Sequence, residues 1–234
     1  MANPRLATVV AVRPLSDRAR MITLATHDGP LGFVGGQYLI FDTGLEREGR
    51  KVKRAYSILS SDSTQERFEI AVLSLGPGSA VLQTVEPGKQ LPFSGPWGQF
   101  LPDDAQPRET LIVATDTGIT AALGLLRGRA FATQLPTTRL LWLVEPGYPF
   151  LSPEEVRALC GRVPLDIVLV PPARHPERLA LAASAVAAMP LPESAFLCGD
   201  GTVVHAVKAQ LAGRGTAAVR LECFFDNPQR KAQP

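Results

Sequence analysis

Leu111-Ile112-Val113-Ala114-Thr115-Asp116-Thr117-Gly118-Ile119-Thr120 is the stretch on which the fold turns. An apolar run enters a short Thr/Gly turn and leaves as a helix-forming segment. This predicts a strand over 111–114, a tight turn, and a helix near 119–129. The same unit recurs downstream. Residues 139–144 lead to Ser152-Pro153-Glu154-Glu155, which is an N-cap serine, a proline at the first helical position and acids in the first turn. Residues 165–170 precede a helix over about 176–188, residues 195–198 precede one over 202–211, and 219–225 closes the series. Strands alternating with helices predict a doubly wound α/β domain, a parallel sheet covered on both faces.

Upstream the pattern is different. Apolar runs at 6–12, 21–24, 37–41, 55–59, 68–75 and 91–93 are separated by Gly/Pro turns such as His27-Asp28-Gly29-Pro30 and Gly35-Gly36. Six short strands with turns between them predict an antiparallel barrel or sandwich. One short helix is expected at 79–85, stopped by Pro87-Gly88. The chain is therefore expected to hold two domains, 1–102 and 110–234, joined by a polar linker at 103–109 that carries Pro107. The tail after Pro228 is expected to fray.

Composition narrows the function. Twenty-four basic against 22 acidic residues give a net charge of +2, too weak for nucleic-acid binding by bulk charge. Three dispersed cysteines, Cys160, Cys198 and Cys223, make neither a disulfide framework nor a ligand set for zinc or an iron–sulfur cluster. His27, His175 and His205 are isolated, so no metal site is expected. No apolar run approaches the ~20 residues of a membrane span, and charges in 1–13 stand where a signal peptide needs an apolar run. A cytoplasmic setting is the expectation.

Three elements of the first half carry chemistry. In Arg54-Ala55-Tyr56-Ser57 a planar guanidinium suits a pyrophosphate, the tyrosine ring suits a flat aromatic ligand, and the serine adds a donor. Gly76-Pro77-Gly78-Ser79 puts a glycine turn before the short helix, with Ser79 as candidate N-cap and phosphate donor. Gly95-Pro96-Trp97-Gly98-Gln99-Phe100 is a rigid turn before the linker. The basic run Arg47, Arg50, Lys51, Lys53, Arg54 reads as a solvated loop that also suits an acidic electron carrier.

Taken in order with Gly36-Gln37-Tyr38, these elements resemble the ferredoxin–NADP reductase superfamily. The resemblance implies a six-stranded antiparallel FAD-binding β-barrel followed by the α/β nucleotide domain. It implies that Arg54 and Ser79 hold the FAD pyrophosphate, that Tyr56 stacks on the flavin, and that Ser57 bonds near flavin N5. It places Ala55, Gly76 and Gly78 at the cofactor, and runs the strand with Ile70 and Val72 along the ribityl chain. In the second half, Thr115, Thr117 and Gly118 are similar to the family's pyridine-nucleotide loop. Asp116 replaces that loop's usual first glycine and Ala121 its usual proline. A carboxylate beside a pyrophosphate is repulsive unless it is paired or turned away. Cys198-Gly199-Asp200 matches a strand end at which the sulfur lies by the nicotinamide. Glu222-Cys223-Phe224 matches the terminal Glu-x-aromatic, with Phe224 over the second flavin face and Glu222 near the nicotinamide.

The resemblance implies an FAD-dependent NAD(P)H oxidoreductase. Hydride would pass between nicotinamide and flavin N5, and electrons would go to or from ferredoxin, flavodoxin or another redox acceptor. Ser57, Cys198 and Glu222 would tune the transfer. Arg174 is the candidate reader of a 2′-phosphate, whereas Glu145 favours a 2′-hydroxyl and hence NADH. The alternative is a flavin electron-transfer subunit with a degenerate nucleotide site, the reading Asp116 supports.

Overall fold

The structure, a computed structural model, describes residues 5–102 and 108–225. Most of the expected linker (103–107) and the tail after Pro228 lie outside the described residues. Six strands make the first half: β1 (Arg5–Ser16), β2 (Ala19–Thr26), β3 (Tyr38–Arg47), β4 (Arg50–Ser57), β5 (Arg67–Leu73) and β6 (Gln90–Trp97). They pair antiparallel in the order β4-β3-β6-β1-β2-β5. The two edge strands lie in contact, and just past β4 the Leu59 amide donates to the Glu69 carbonyl of β5 at 2.8 Å. Alternation puts Phe68, Ile70 and Val72 inside with Phe41 and Phe93. The Phe93 ring sits 5.9 Å from Phe41 and 6.2 Å from Phe68.

Two local expectations need correction. The basic run is no loop: Arg47 ends β3, and Arg50, Lys51, Lys53 and Arg54 belong to β4. That hairpin register brings the Lys51 ammonium within 2.8 Å of Asp42. The short helix, α1 (Pro77–Gln83), begins two residues earlier than expected, with Gly76 as its N-cap and Pro77 in its first turn. Proline fits there because its missing N–H has no helical partner to lose. Ser79 is therefore third in the helix. Its hydroxyl turns back and accepts from the Leu75 and Gly76 amides at 2.9 and 3.1 Å.

The second half is β7 (Thr110–Thr115), α2 (Ile119–Leu126), β8 (Thr138–Val144), α3 (Pro153–Cys160), β9 (Leu165–Leu169), α4 (Arg178–Ala187), β10 (Ser194–Asp200), α5 (Gly201–Arg214) and β11 (Ala218–Phe225). The strands run parallel in the order β11-β10-β7-β8-β9. Helices α2 and α3 cover one face, and α4 and α5 the other. The expected cap of α3 forms: Ser152 Oγ accepts from the Glu155 amide while Glu155 answers the Ser152 amide, both at 3.2 Å. Strand order reverses between β7 and β10. That opens a crevice beyond their carboxyl ends, where ligands of such sheets bind.

The halves meet backbone to backbone. A Cβ on Gly124 of α2 would stand 2.2 Å from the Ile58 carbonyl oxygen, and one on Gly35 would stand 2.5 Å from Gly128 Cα. Beside this contact the buried Asp62 carboxylate accepts from the Gly35 amide at 3.1 Å and from the Arg129 amide at 2.9 Å, so one side chain bonds both halves. Around it Ala19, Met21, Leu59, Ala71, Leu73 and Phe100 from the first half join the core under α2. A methyl at position 124 has no place to go. We expect Gly124→Ala to cost about 1–3 kcal/mol in urea unfolding. Gly213→Ala, in the exposed part of α5 with open space at its Cβ, should be neutral or stabilising by up to ~1 kcal/mol. Equal effects of the two would refute the tight-contact account.

Candidate functional site

Strand β4 brings Arg54, Ala55, Tyr56 and Ser57 to the rim of the first sheet beside the second half, with Tyr56 and Ser57 paired to Leu39 and Tyr38 of β3 and the Tyr56 ring also packed on the barrel core. Strand β11 ends beside them. Two adjoining hollows result, of about 200 and 280 Å³, and both are walled by Ala55, Tyr56, Ser57 and Phe224. The outer one adds Tyr38, Ile40, Glu222 and Cys223. The inner one adds Lys53, Arg54, Ala71, Leu73, Ser79, Thr117, Thr120 and Phe225. They are two parts of one cleft between the sheets, and Phe224 stands where they meet, 36% exposed.

The cleft's chemistry suits a large, flat, partly anionic ligand. Tyr56 Oη is buried and has no hydrogen-bond partner. Burial also pushes its phenol well above the ordinary range, so it stays a neutral donor. An orphaned hydroxyl in an apolar wall costs ~1–3 kcal/mol until something polar meets it. Arg54 lies across Gly78, where a Cβ would be 2.9 Å from the guanidinium carbon; glycine there lets the cation lie flat on the loop. Its Nη1 donates to the Lys53 carbonyl at 2.8 Å, and its exposed donors face the inner hollow.

Several expected residues sit elsewhere. Ile70 and Val72 point into the barrel core, and the opposite face of the same strand gives Ala71 and Leu73 to the cleft. The apolar alternation that marks the core face also marks its complement, and that was the usable signal. Cys198 does not reach the cleft wall: it is fully buried, its sulfur 3.2 Å from the Gly118 carbonyl and 3.7 Å from that of Val113. Burial, with the Glu222 charge added, holds this thiol far above its ordinary value. Gly76 lies outside the cleft's lining, as the cap of α1. Gly118 and Gly199 are buried in the turn, and Thr115 is turned inward, its hydroxyl accepting from the Asp200 amide at 2.7 Å. Arg174 lies in a separate hollow with His175, Arg178, Leu179, Asp200 and Thr202.

One residue that sequence reasoning missed dominates the crevice. Arg178, at the start of α4, is 2% exposed and the only buried Lys or Arg among the described residues. Its Nη2 bonds Asp116 Oδ2, and its Nε lies 3.3 Å from Asp200 Oδ2. Asp116 itself has φ 46 and holds the Glu145 amide through Oδ1 at 3.3 Å. Burial pushes its carboxyl above the ordinary carboxylate value, outweighing the pull of Arg178. The need of a buried Asp116 for a cation was the available clue, but nothing in the sequence around Glu177-Arg178 pointed to the partner.

Residues 7–101 match the family described as the oxidoreductase FAD-binding domain. The chain is 41% identical over 129 residues to ferredoxin–NADP reductase B of Sorangium cellulosum, covering 54% of this chain and 52% of that protein. It is 26% identical over 192 residues to the ferredoxin reductase component of the 3-ketosteroid-9-alpha-monooxygenase of Mycolicibacterium smegmatis, covering 80% and 53%. The chain thus spans about half the length of these curated relatives. Among solved structures, the flavohem-like FAD/NAD binding domain of nitric oxide dioxygenase from Vibrio cholerae shares the fold, with TM-score 0.74 and 19% identity over 95% of this chain and 99% of that one.

Two outcomes follow from the geometry. Tyr56→Phe removes an unsatisfied hydroxyl, so the ligand-free protein should gain about 1 kcal/mol in urea unfolding while affinity for the cleft ligand falls roughly tenfold; a destabilised variant would mean the hydroxyl has a partner. Burial raises the Cys160 thiol to about 12 and Cys198 further. Alkylation followed by peptide mass spectrometry should therefore mark half-buried Cys223 well before either.

Proposed function

We propose that the chain is a member of the ferredoxin–NADP reductase superfamily, a reading supported by the FAD-binding domain match over residues 7–101 and the likeness to ferredoxin–NADP reductase B, and that it is an FAD-dependent NAD(P)H oxidoreductase exchanging electrons with a separate acceptor such as ferredoxin or flavodoxin. The observation that carries this reading is the single cleft in which Arg54, Tyr56 and Ser57 from the first half face Thr117, Glu222 and Phe224 from the second. FAD bound there would supply hydride exchange at N5 and one- or two-electron transfer to the acceptor. On this reading residues 1–102 are the flavin domain, 103–109 the linker and 110–234 the nucleotide domain.

The residues divide the work by position. Arg54 neutralises the pyrophosphate as a planar fork of donors. Ser79 holds the Gly76 turn beneath it, because its hydroxyl is already engaged by that turn. Tyr56 gives the ring wall and, through Oη, a donor for a ribityl hydroxyl. Ser57, half a pleat further and nearly buried, offers its hydroxyl to the reacting edge. Phe224 covers the opposite side and shields it from water, and it must turn aside for a nicotinamide to lie there. Glu222, in the outer hollow, sets the polarity at that position. Cys198, buried behind the Gly118 turn, supports that turn without touching a ligand.

No helix among the described residues is long and apolar enough to cross a membrane. The partner we propose is a small acidic redox protein meeting the exposed cations of β4 and the hairpin before it, which border the cleft through Lys53 and Arg54.

The purified protein should be yellow or take up FAD, and should bleach anaerobically on adding NADH or NADPH. Ser57→Ala should slow bleaching about 10–100-fold with FAD retained, whereas Arg54→Ala should weaken FAD retention itself. A colourless protein that binds no added FAD would sink the reading.

A further inference from the structure

The carboxyl end of the parallel sheet is tied together by one buried ion network, which also borders a hollow of about 240 Å³ beside Arg174. Arg178 reaches from α4 across the strand ends. It meets Asp116 after β7 and Asp200 at the end of β10, and donates to the Pro171 carbonyl after β9. Asp116 extends the network to the Glu145 amide after β8, and its carbonyl accepts from Trp142 Nε1 at 3.1 Å. Asp200 also caps α5, accepting from the Thr202 amide at 2.9 Å. All three charged side chains are almost fully buried. They stand at the reversal of strand order between β7 and β10, the crevice in which an open α/β sheet seats a nucleotide.

A pyrophosphate entering there needs cations or free backbone donors. The network offers neither. The guanidinium already bonds Asp116 and lies against Asp200, the Asp200 amide is taken by Thr115, and one cation faces two carboxyl groups. We propose that Asp116, Arg178 and Asp200 form an internal lock on the dinucleotide crevice, in which Arg178 is an anion-binding residue already occupied by the chain's own carboxylates. A dinucleotide must then take Arg178 from Asp116 before its pyrophosphate can sit down. The lock makes the adenylate half of NAD(P)H a weak contributor to binding and leaves recognition to the nicotinamide half in the cleft. This rests on the reductase reading for the identity of the ligand, but the lock itself is a property of the second sheet alone.

The test uses ADP-ribose, which carries the pyrophosphate and adenylate but no nicotinamide, titrated calorimetrically into the FAD-supplemented full chain. Wild type should bind more weakly than about 1 mM, and Asp116→Asn should tighten binding at least tenfold. Asp200→Asn, which keeps an N-cap oxygen for α5, should act in the same direction and serves if the first variant fails to fold. Wild-type binding tighter than about 10 μM, or folded variants with unchanged affinity, would overturn the lock. Absence of FAD uptake would overturn the reductase reading and leave this titration interpretable, because the probe does not need the flavin.

Discussion

Everything in the cleft depends on the close approach of two backbones, where Gly124 of α2 lies against the Ile58 carbonyl and Gly35 against Gly128. Apolar burial alone would hold two such layers together at many sliding registers, since it is non-directional. A contact with no side chain between the surfaces permits one. Asp62 then secures that register with directed bonds to an amide on each side. Arg13 to Glu155 at 2.7 Å and Ser16 Oγ to the Pro149 carbonyl at 2.9 Å repeat the tie further out. Strand β4 and the end of β11 come from sheets with separate topologies, and they face each other because this seam sets their spacing.

The second half is organised by a different economy of charge. Its sheet is apolar on both faces, as parallel sheets with helices on both sides are, so its polar groups collect at the strand ends. Three buried charged side chains share that end: Arg178 bonds Asp116 and the Pro171 carbonyl, while its Nε lies 3.3 Å from Asp200 without a hydrogen bond. Such a cluster is worth little net stability against an apolar replacement, but it is costly to break on one side only, since an uncompensated buried charge would remain. It fixes the loops after β7 and β10 relative to α4, and the floor beneath Thr117 with them.

Much of this was legible in the chain. The 11 strands among the described residues and both sheet types follow from apolar runs, their spacing and the punctuation by Gly and Pro. The Ser152 cap could be read residue by residue because its rule is local. What could not be read was whatever depends on facing. Ile70 and Ala71 are neighbours in sequence, yet one lies in the barrel core and the other on the cleft wall. Ser79 looks like a cap until the helix start is known to be Pro77. Arg178 pairs with Asp116 from 62 residues away, and nothing local marks either as a partner.

The seam also decides how the molecule moves. Two bodies joined through bare backbone, with carboxylate bonds on both sides of the joint, cannot open like a hinge without breaking those bonds together. Access to the cleft is then governed by an aromatic ring at the end of β11 and not by a domain. Rotation of one exposed side chain takes nanoseconds or less, whereas collective hinge motion takes microseconds or longer. Admission of a ligand past that ring is accordingly a fast local event, separate in timescale from any movement of the two halves.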